Sequence, residues 1–424
     1  MPDKAKWTVL TYIAAHNNLD PLGRKSLLEI IGVGSTRDVV HGVLYDGPAG
    51  AGRYVAGEPG KAVTQERLGS FDSGDPDGLI ATATWLFGQH PAERYGLVLW
   101  SHGSGWEPSE IEAVAKEARP EAKAAPEESK ERAVAPGSRA LFRTTLRALL
   151  KPDERAERAI LFDDGTGHSL DTIELARVAG AIAGFAGQPL ELLGMDACLM
   201  GNLEVAYEVR KAVRYLVASE ELVPGHSWPY GEIFGALKPA PAMTGADLAR
   251  LVVERYVAYY TAKPPAAGDV TKVALDLSRA ERLARAAGTL AEALQTDMTT
   301  QAAVLWAAQQ QSQARETRSG KRKPTKFDYH LWDLRSVAAG LGASAAASGP
   351  VRDAAAAVVQ ALVPGAGAVL AEGHRGDWFD RTGGVSIYVM PPGTQRLAQA
   401  YATLAFAKDT RWVETLSAYH HALA

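Results

Sequence analysis

Short runs that are nearly continuous in hydrophobic residues recur along the chain, separated by stretches of helical pattern. They read WTVLTYIAA, VVHGVLYD, YGLVLWSHG, RAILFDD, LELLGMD, YLVAS, KVALDL and GVSIYVM. A strand that is apolar on both faces must be covered on both, whereas a half-exposed strand alternates. The helical segments between them include DGLIATATWLFGQH, SLDTIELARVAGAIAGFA and LMGNLEVAYEVRKAV. In the second, Asp171 stands three residues before Glu174, the spacing of a capping box. This alternation predicts an α/β fold: a mostly parallel sheet flanked by helices. Functional groups in such sheets gather at the carboxyl ends of the strands.

Hydrophobic residues make up 46% of the 424 positions and charged residues 22%, enough for a sizeable core. The net charge of −4 is spread over both signs, which argues against nucleic acid as the main ligand. No uncharged run is long enough to span a bilayer. The first apolar stretch is too short for a signal segment and lacks a small-residue cleavage site after it. The expectation is a cytoplasmic protein with no membrane partner. Residues 1–300 read as the core and 301–424 as a smaller, Ala-rich helical lobe with one strand near 384 to 390. Between 107 and 157 lies an insert rich in Ala, Glu, Lys and Pro, the composition of a solvated linker. ETRSGKRKPTKFD is a second polar break.

A single cysteine excludes an internal disulfide, so the fold does not depend on an oxidising compartment. Cys198 stands where the run LELLGMD gives way to an amphipathic pattern. Backbone N–H groups at a helix start would stabilise a thiolate there. A buried structural cysteine, behaving as a small hydrophobe, is the alternative. The strand in YGLVLWSHGSGW ends in Ser101-His102-Gly103. Neighbouring parallel strands would bring His102 to Cys198, where imidazole can take the thiol proton and later protonate a leaving amine. Gly103 has no side chain, so its amide and that of Cys198 could form an oxyanion hole.

VLWSHGSGW and GMDACLMGNLEVAYEVR resemble the two active-site motifs of the clostripain-like cysteine peptidases, family C11. WTVLTYIAAHNNLD, ASEELVPGHSWPYGEI and GVSIYVMPP resemble further segments of that family, from near Trp7 to about Pro392. The resemblance implies a caspase-like three-layer sandwich and hydrolysis of peptide bonds after basic residues. It makes His102 the general acid/base, Cys198 the nucleophile and Asp196 a wall of the S1 pocket. A carboxylate there suits Lys or Arg by charge-assisted hydrogen bonding; capping the following helix is its alternative role. Glu220 and Glu221, at the next strand end, could add negative potential to S1 or be ordinary solvated charges. Relatives are matured by cleavage between the two motifs, which makes the insert a candidate for self-processing, with Lys130 and Arg132 the preferred sites.

The chain departs from the family at His16-Asn17-Asn18-Leu19, where Asp-Asn-Asn-Leu is usual. No His or carboxylate stands at ligand spacing beside His16, so no metal site is read from the residues. DDGTGHSLD lacks the acidic spacing of an EF-hand and reads as a polar βα loop. Some family members need calcium, and the resemblance leaves that cofactor open here. A catalytically silent caspase-like scaffold or binding module is the competing function. A nucleotide-binding doubly wound domain would need a glycine-rich loop after its first strand, and the chain has none.

Overall fold

The first apolar run forms strand β1 (Ala5–Ala14), buried at every position except Lys6. Alternation sends Trp7, Val9 and Ile13 to one face of the sheet, and Leu10, Tyr12 and Ala14 to the other. Each set joins a separate apolar core, so β1 is the middle layer of three. The computed structural model describes residues 4–58, 61, 63–103, 105, 160–264, 269–312, 331–376, 379–389 and 399–423.

Beside β1 lie β2 (Val39–Gly47) and β5 (Ala92–Trp100), both parallel to it. Next to β5, β6 (Leu190–Asp196) and β7 (Val213–Ala218) continue the parallel order. Antiparallel strands close both edges: β3 (Gly50–Val55) and β4 (Thr64–Gly69) at one, β8 (Val270–Asp276) and β10 (Val369–Arg375) at the other. The sheet order is β10-β8-β7-β6-β5-β1-β2-β3-β4. One face is covered by α1 (Asp20–Val33), α5 (Tyr230–Leu237) and α6 (Gly245–Thr261). The other is covered by α2 (Pro76–Gln89), α3 (Thr172–Ala186), α4 (Leu203–Val209) and α7 (Ala280–Gln295). Helix α3 begins with the expected capping box, both reciprocal bonds between Asp171 and Glu174 being present. Helices α8 (Met298–Gln311), α9 (Leu334–Ala343), α10 (Gly349–Ala361) and α11 (Trp412–Leu423) extend that second core.

Three expectations need correction. The described part of RAILFDD, residues 160–164, is not a strand: only Ile160 pairs there, in isolated bridges to Gly103 and Leu170. Leu161 turns the backbone to φ 64°, and Asp163 then gathers the loop by accepting from Gly165 and Thr166, so extension stops. The region after residue 300 holds more than one strand. GVSIYVM gives β11 (Ser386–Tyr388), which pairs with β9 (Leu331–Asp333), and β10 completes the edge of the main sheet. VLAEGHR of β10 escaped notice because its residues after Val369 are only half-buried and carry no apolar run. Finally, the helix after Cys198 starts late, at Leu203, with Asn202 Oδ1 accepting from Val205 N at 2.8 Å.

Candidate active site

Strands β5 and β6 run parallel in register, Trp100 opposite Asp196. The chain leaving each strand end therefore emerges at one edge of the sheet. His102, Asp196 and Cys198 line a single cleft there, walled by Leu19, Val223 and Pro224. The closeness of the two strand ends is visible at Gly103. A Cβ on it would lie 2.5 Å from Cys198 O and 2.9 Å from Ala197 Cβ, so only glycine fits without displacing backbone.

Cys198 sits in the turn between Asp196 and Asn202, not in the first turn of a helix. Leu199 adopts φ 63°, and Leu199 N and Gly201 N donate to Glu221 O (3.2 Å) and Ser219 O (2.8 Å). The turn is thus pinned to the chain leaving β7. The half-buried sulfur accepts a hydrogen bond from Val223 N at 3.3 Å. A backbone N–H of this loop, rather than a helix start, faces the sulfur.

His102 is 4% exposed, and burial lowers its pKa to about 3, so the ring is neutral at physiological pH. Its Nε2 lies 2.9 Å from Asn18 Oδ1. An amide oxygen only accepts, so Nε2 carries the proton and Nδ1 is left as the basic nitrogen. The Phe162 ring meets the imidazole edge-on, with centroids 6.2 Å apart. Asn18 was not singled out in the sequence. The clue was its place in HNNL directly after the first strand, at the same sheet edge as His102.

Asp196 does not cap the helix. Its carboxylate accepts from Ser227 Oγ, from Trp228 N at 3.1 Å and from the Tyr230 hydroxyl at 2.8 Å. Burial raises its pKa, and the Lys272 ammonium acts against that rise. Lys272 is itself fully buried on β8, its Nζ lying 4.0 Å from the Tyr256 ring centroid and 5.1 Å from that of Trp228. Burial lowers its pKa to about 7, while Asp196 and Cys198 pull the other way. A strand lysine reads as solvent-facing, so nothing in the residue pattern marks this one.

Glu220 and Glu221 are buried, which overturns the solvated reading of both. Neither is among the residues lining the cleft. Glu220 accepts from Thr382 Oγ1, whose oxygen is also 3.2 Å from Asp333 Oδ2. Burial and then the Asp333 charge push the Glu220 pKa well up. Lys130 and Arg132, with the whole 107–157 insert, lie outside the described residues. At the ends of β1 and β2 the fold brings Asp46 and Asp163 to His16, with ligand atoms all within 4.8 Å of one another. Chain separation hid that grouping. Among the described residues, no helix is long and apolar enough to cross a membrane.

A model of the peptidase C11 family, described as the clostripain family, matches residues 11–118 and 148–418. Clostripain of Hathewaya histolytica is 31% identical over 105 residues, which is 23% of this chain and 20% of that protein. The match thus spans about a fifth of that relative's length. An inactive zymogen of a C11 protease from Parabacteroides distasonis superposes with TM-score 0.63 at 18% identity, covering 97% of this chain and 99% of the other. A secreted C11 cysteine protease from Bacteroides thetaiotaomicron, bound to an irreversible peptide inhibitor, gives TM-score 0.61 at 18% identity, with 98% and 99% covered. At such identities the likeness speaks for the fold alone, and it is the fold of the C11 proteases, a caspase-like sandwich.

Proposed function

The chain belongs to the clostripain family of cysteine peptidases, and from that membership we propose that it is an endopeptidase cleaving after Arg or Lys through a His102/Cys198 dyad. The observation that carries this reading is the shared cleft of His102, Asp196 and Cys198 at the carboxyl ends of β5 and β6.

In this mechanism His102 Nδ1 takes the proton from Cys198 Sγ as the sulfur attacks the scissile carbonyl carbon. The C=O pair moves onto oxygen, and the amides of Gly103 and Cys198 hold the oxyanion. Collapse breaks the C–N bond, and the imidazolium gives its proton to the leaving amine. Water, deprotonated by the same nitrogen, then attacks the thioester and frees the acid and the thiol. A neutral buried imidazole suits the first step, because a ring already protonated accepts nothing. Asn18 acts through His102: by accepting from Nε2–H it selects the tautomer whose Nδ1 carries no proton. Asp196 serves a cationic P1 side chain, and Lys272 favours its ionised form.

Glu220 is better read as a buried support of the C-terminal segment than as an S1 wall, since it is engaged with Thr382, and Glu221 is likewise not among the residues lining the cleft. The peptide inhibitor bound by the Bacteroides protease supports peptides as the substrate class. The zymogen described for the Parabacteroides protein supports activation by cleavage, here in the 107–157 insert after Lys130 or Arg132. The cytoplasmic placement expected from sequence gains no support, because one structural neighbour is described as secreted.

The test is a fluorogenic Arg or Lys amide assay on wild type and Cys198→Ala, with denaturing gels of both after incubation. Turnover and insert cleavage by wild type alone are expected. Equal turnover by both proteins would refute the dyad. A wild type that neither turns over basic amides nor reacts with iodoacetamide would favour the silent scaffold.

A further inference from the structure

His16, Asp46 and Asp163 meet from three separate parts of the chain. His16 follows β1, Asp46 is the penultimate residue of β2, and Asp163 stands in the segment that follows the insert. The imidazole Nδ1 lies 3.3 Å from Asp163 Oδ1. Two ligands bonded to one tetrahedral ion at about 2.0–2.1 Å stand about 3.3 Å apart, so this pair already has ligand spacing. Asp46 is 1% exposed, and its Oδ2 accepts no hydrogen bond among the described residues although it is buried. An orphaned carboxylate oxygen beside a second carboxylate calls for a cation.

The surroundings are built to hold the group still. Asp163 accepts from Ser73 N (3.1 Å) and Ser73 Oγ (3.3 Å) through Oδ2, and from Gly165 N (2.8 Å) and Thr166 N (3.2 Å) through Oδ1. Asp164 N donates to His16 O at 2.9 Å, and Gly165 presses so near the imidazole that a Cβ would lie 2.3 Å from Cε1. Such fixing of ligating groups by their neighbours is what metal sites need.

The donor set also identifies the ion. Calcium takes about six to eight oxygen ligands, and one nitrogen with two carboxylates does not fit it. Imidazole plus carboxylate, with a position left for water, suits zinc. We propose that His16, Asp46 and Asp163 form a three-ligand Zn2+ site that clamps the segment after the insert to the ends of β1 and β2. The clamp borders the catalytic histidine. Asn17 Nδ2 donates to Phe162 O at 2.7 Å, and the Phe162 ring packs edge-on to His102. The ion would therefore fix the re-entering chain next to the dyad whether or not the insert is cut.

The experiment uses the full chain, tag-free and carrying Cys198→Ala, so that neither self-cleavage nor the thiol competes. After chelation and dialysis, Zn2+, Mn2+, Ca2+ and Mg2+ are titrated separately by calorimetry, with thermal unfolding followed in parallel. Saturable uptake of one Zn2+ per chain, with a raised unfolding temperature and at least tenfold weaker calcium binding, is expected. Asp46→Asn and His16→Gln should each weaken zinc at least tenfold. His16 is partly exposed, so the second variant keeps the test valid if the first fails to fold. His168→Gln, at the exposed pair with Asp72, should leave zinc binding unchanged. Absence of saturable zinc binding, zinc affinity unaltered in His16→Gln, or tighter binding of calcium than of zinc would each overturn the proposal.

Discussion

Asn18 offers the sharpest test of the dyad, because its amide oxygen acts through His102. The amide oxygen sits 2.9 Å from Nε2, and the imidazole is 4% exposed. Asn18→Ala removes the acceptor of that buried imidazole's N–H, at a cost of about 1–3 kcal/mol. If the whole cost falls on the geometry of proton transfer, kcat drops about 5- to 150-fold. KM should change little, since Asn18 is not among the residues lining the cleft. In a His102→Ala background the same substitution should cost nothing further, because the two residues act as one unit. Asn18→Asp tests the charge. A base is competent while neutral, so kcat/KM falls as pH drops through the His102 pKa. That pKa is about 3 in the wild type, which keeps its limb far to the acid side. An anion at hydrogen-bond distance favours the imidazolium and should move the limb up by about 1–3 pH units. The assay is a pH series on an Arg amide from mild acid to neutrality, with thermal unfolding as the control for folding. An Asn18→Ala enzyme with kcat within about twofold of wild type, or an Asn18→Asp profile superposed on wild type, would refute the reasoning.

Further outcomes follow from the same cleft. His102→Ala should abolish amide turnover while the unfolding transition survives; residual turnover in the pure variant would remove it from the dyad. Gly103→Ala drives a methyl into Cys198 O, and displacing an oxyanion donor should cost about 100-fold or more in kcat, read by single-turnover kinetics. Asp196→Asn should cost basic substrates about 2–5 kcal/mol in kcat/KM, with neutral P1 substrates much less affected; unchanged selectivity would exclude it from S1. Lys272→Met removes the charge that favours ionised Asp196, so the Asp196 pKa rises and Arg-over-neutral selectivity should fall near neutral pH. That selectivity should recover as pH rises; a pH-independent ratio equal to wild type would show that Lys272 is only a core residue.

What the sequence displayed and what it concealed divide along one line. Cys198, His102 and Asp196 were legible because each directly ends or follows a strand of the parallel core, and a parallel sheet collects such ends at one edge. Their neighbours in the chain also carry a family pattern. The groups that tune them come from elsewhere. Lys272 lies in VTKVALD, where a charged residue is read as facing water, yet it points into the aromatic wall of Trp228 and Tyr256. Asp46 closes an apolar strand, and only the fold sets Asp163 beside it. The misplaced helix start at Cys198 has a local cause: LMGN is apolar enough to continue the helical pattern, but Asn202 caps the helix and Leu199 turns left-handed before it. The solvated alternative for Glu220 and Glu221 failed for the opposite reason, since charge alone was read as exposure, and a partner of Glu220 such as Thr382 arrives from far along the chain. Nucleophile, base and backbone donors are thus set by strand topology, which periodicity reveals. The burial that keeps His102 neutral and the Lys272 charge that favours ionised Asp196 come only from tertiary packing, so variants at Asn18 and Lys272 test what strand periodicity does not reach.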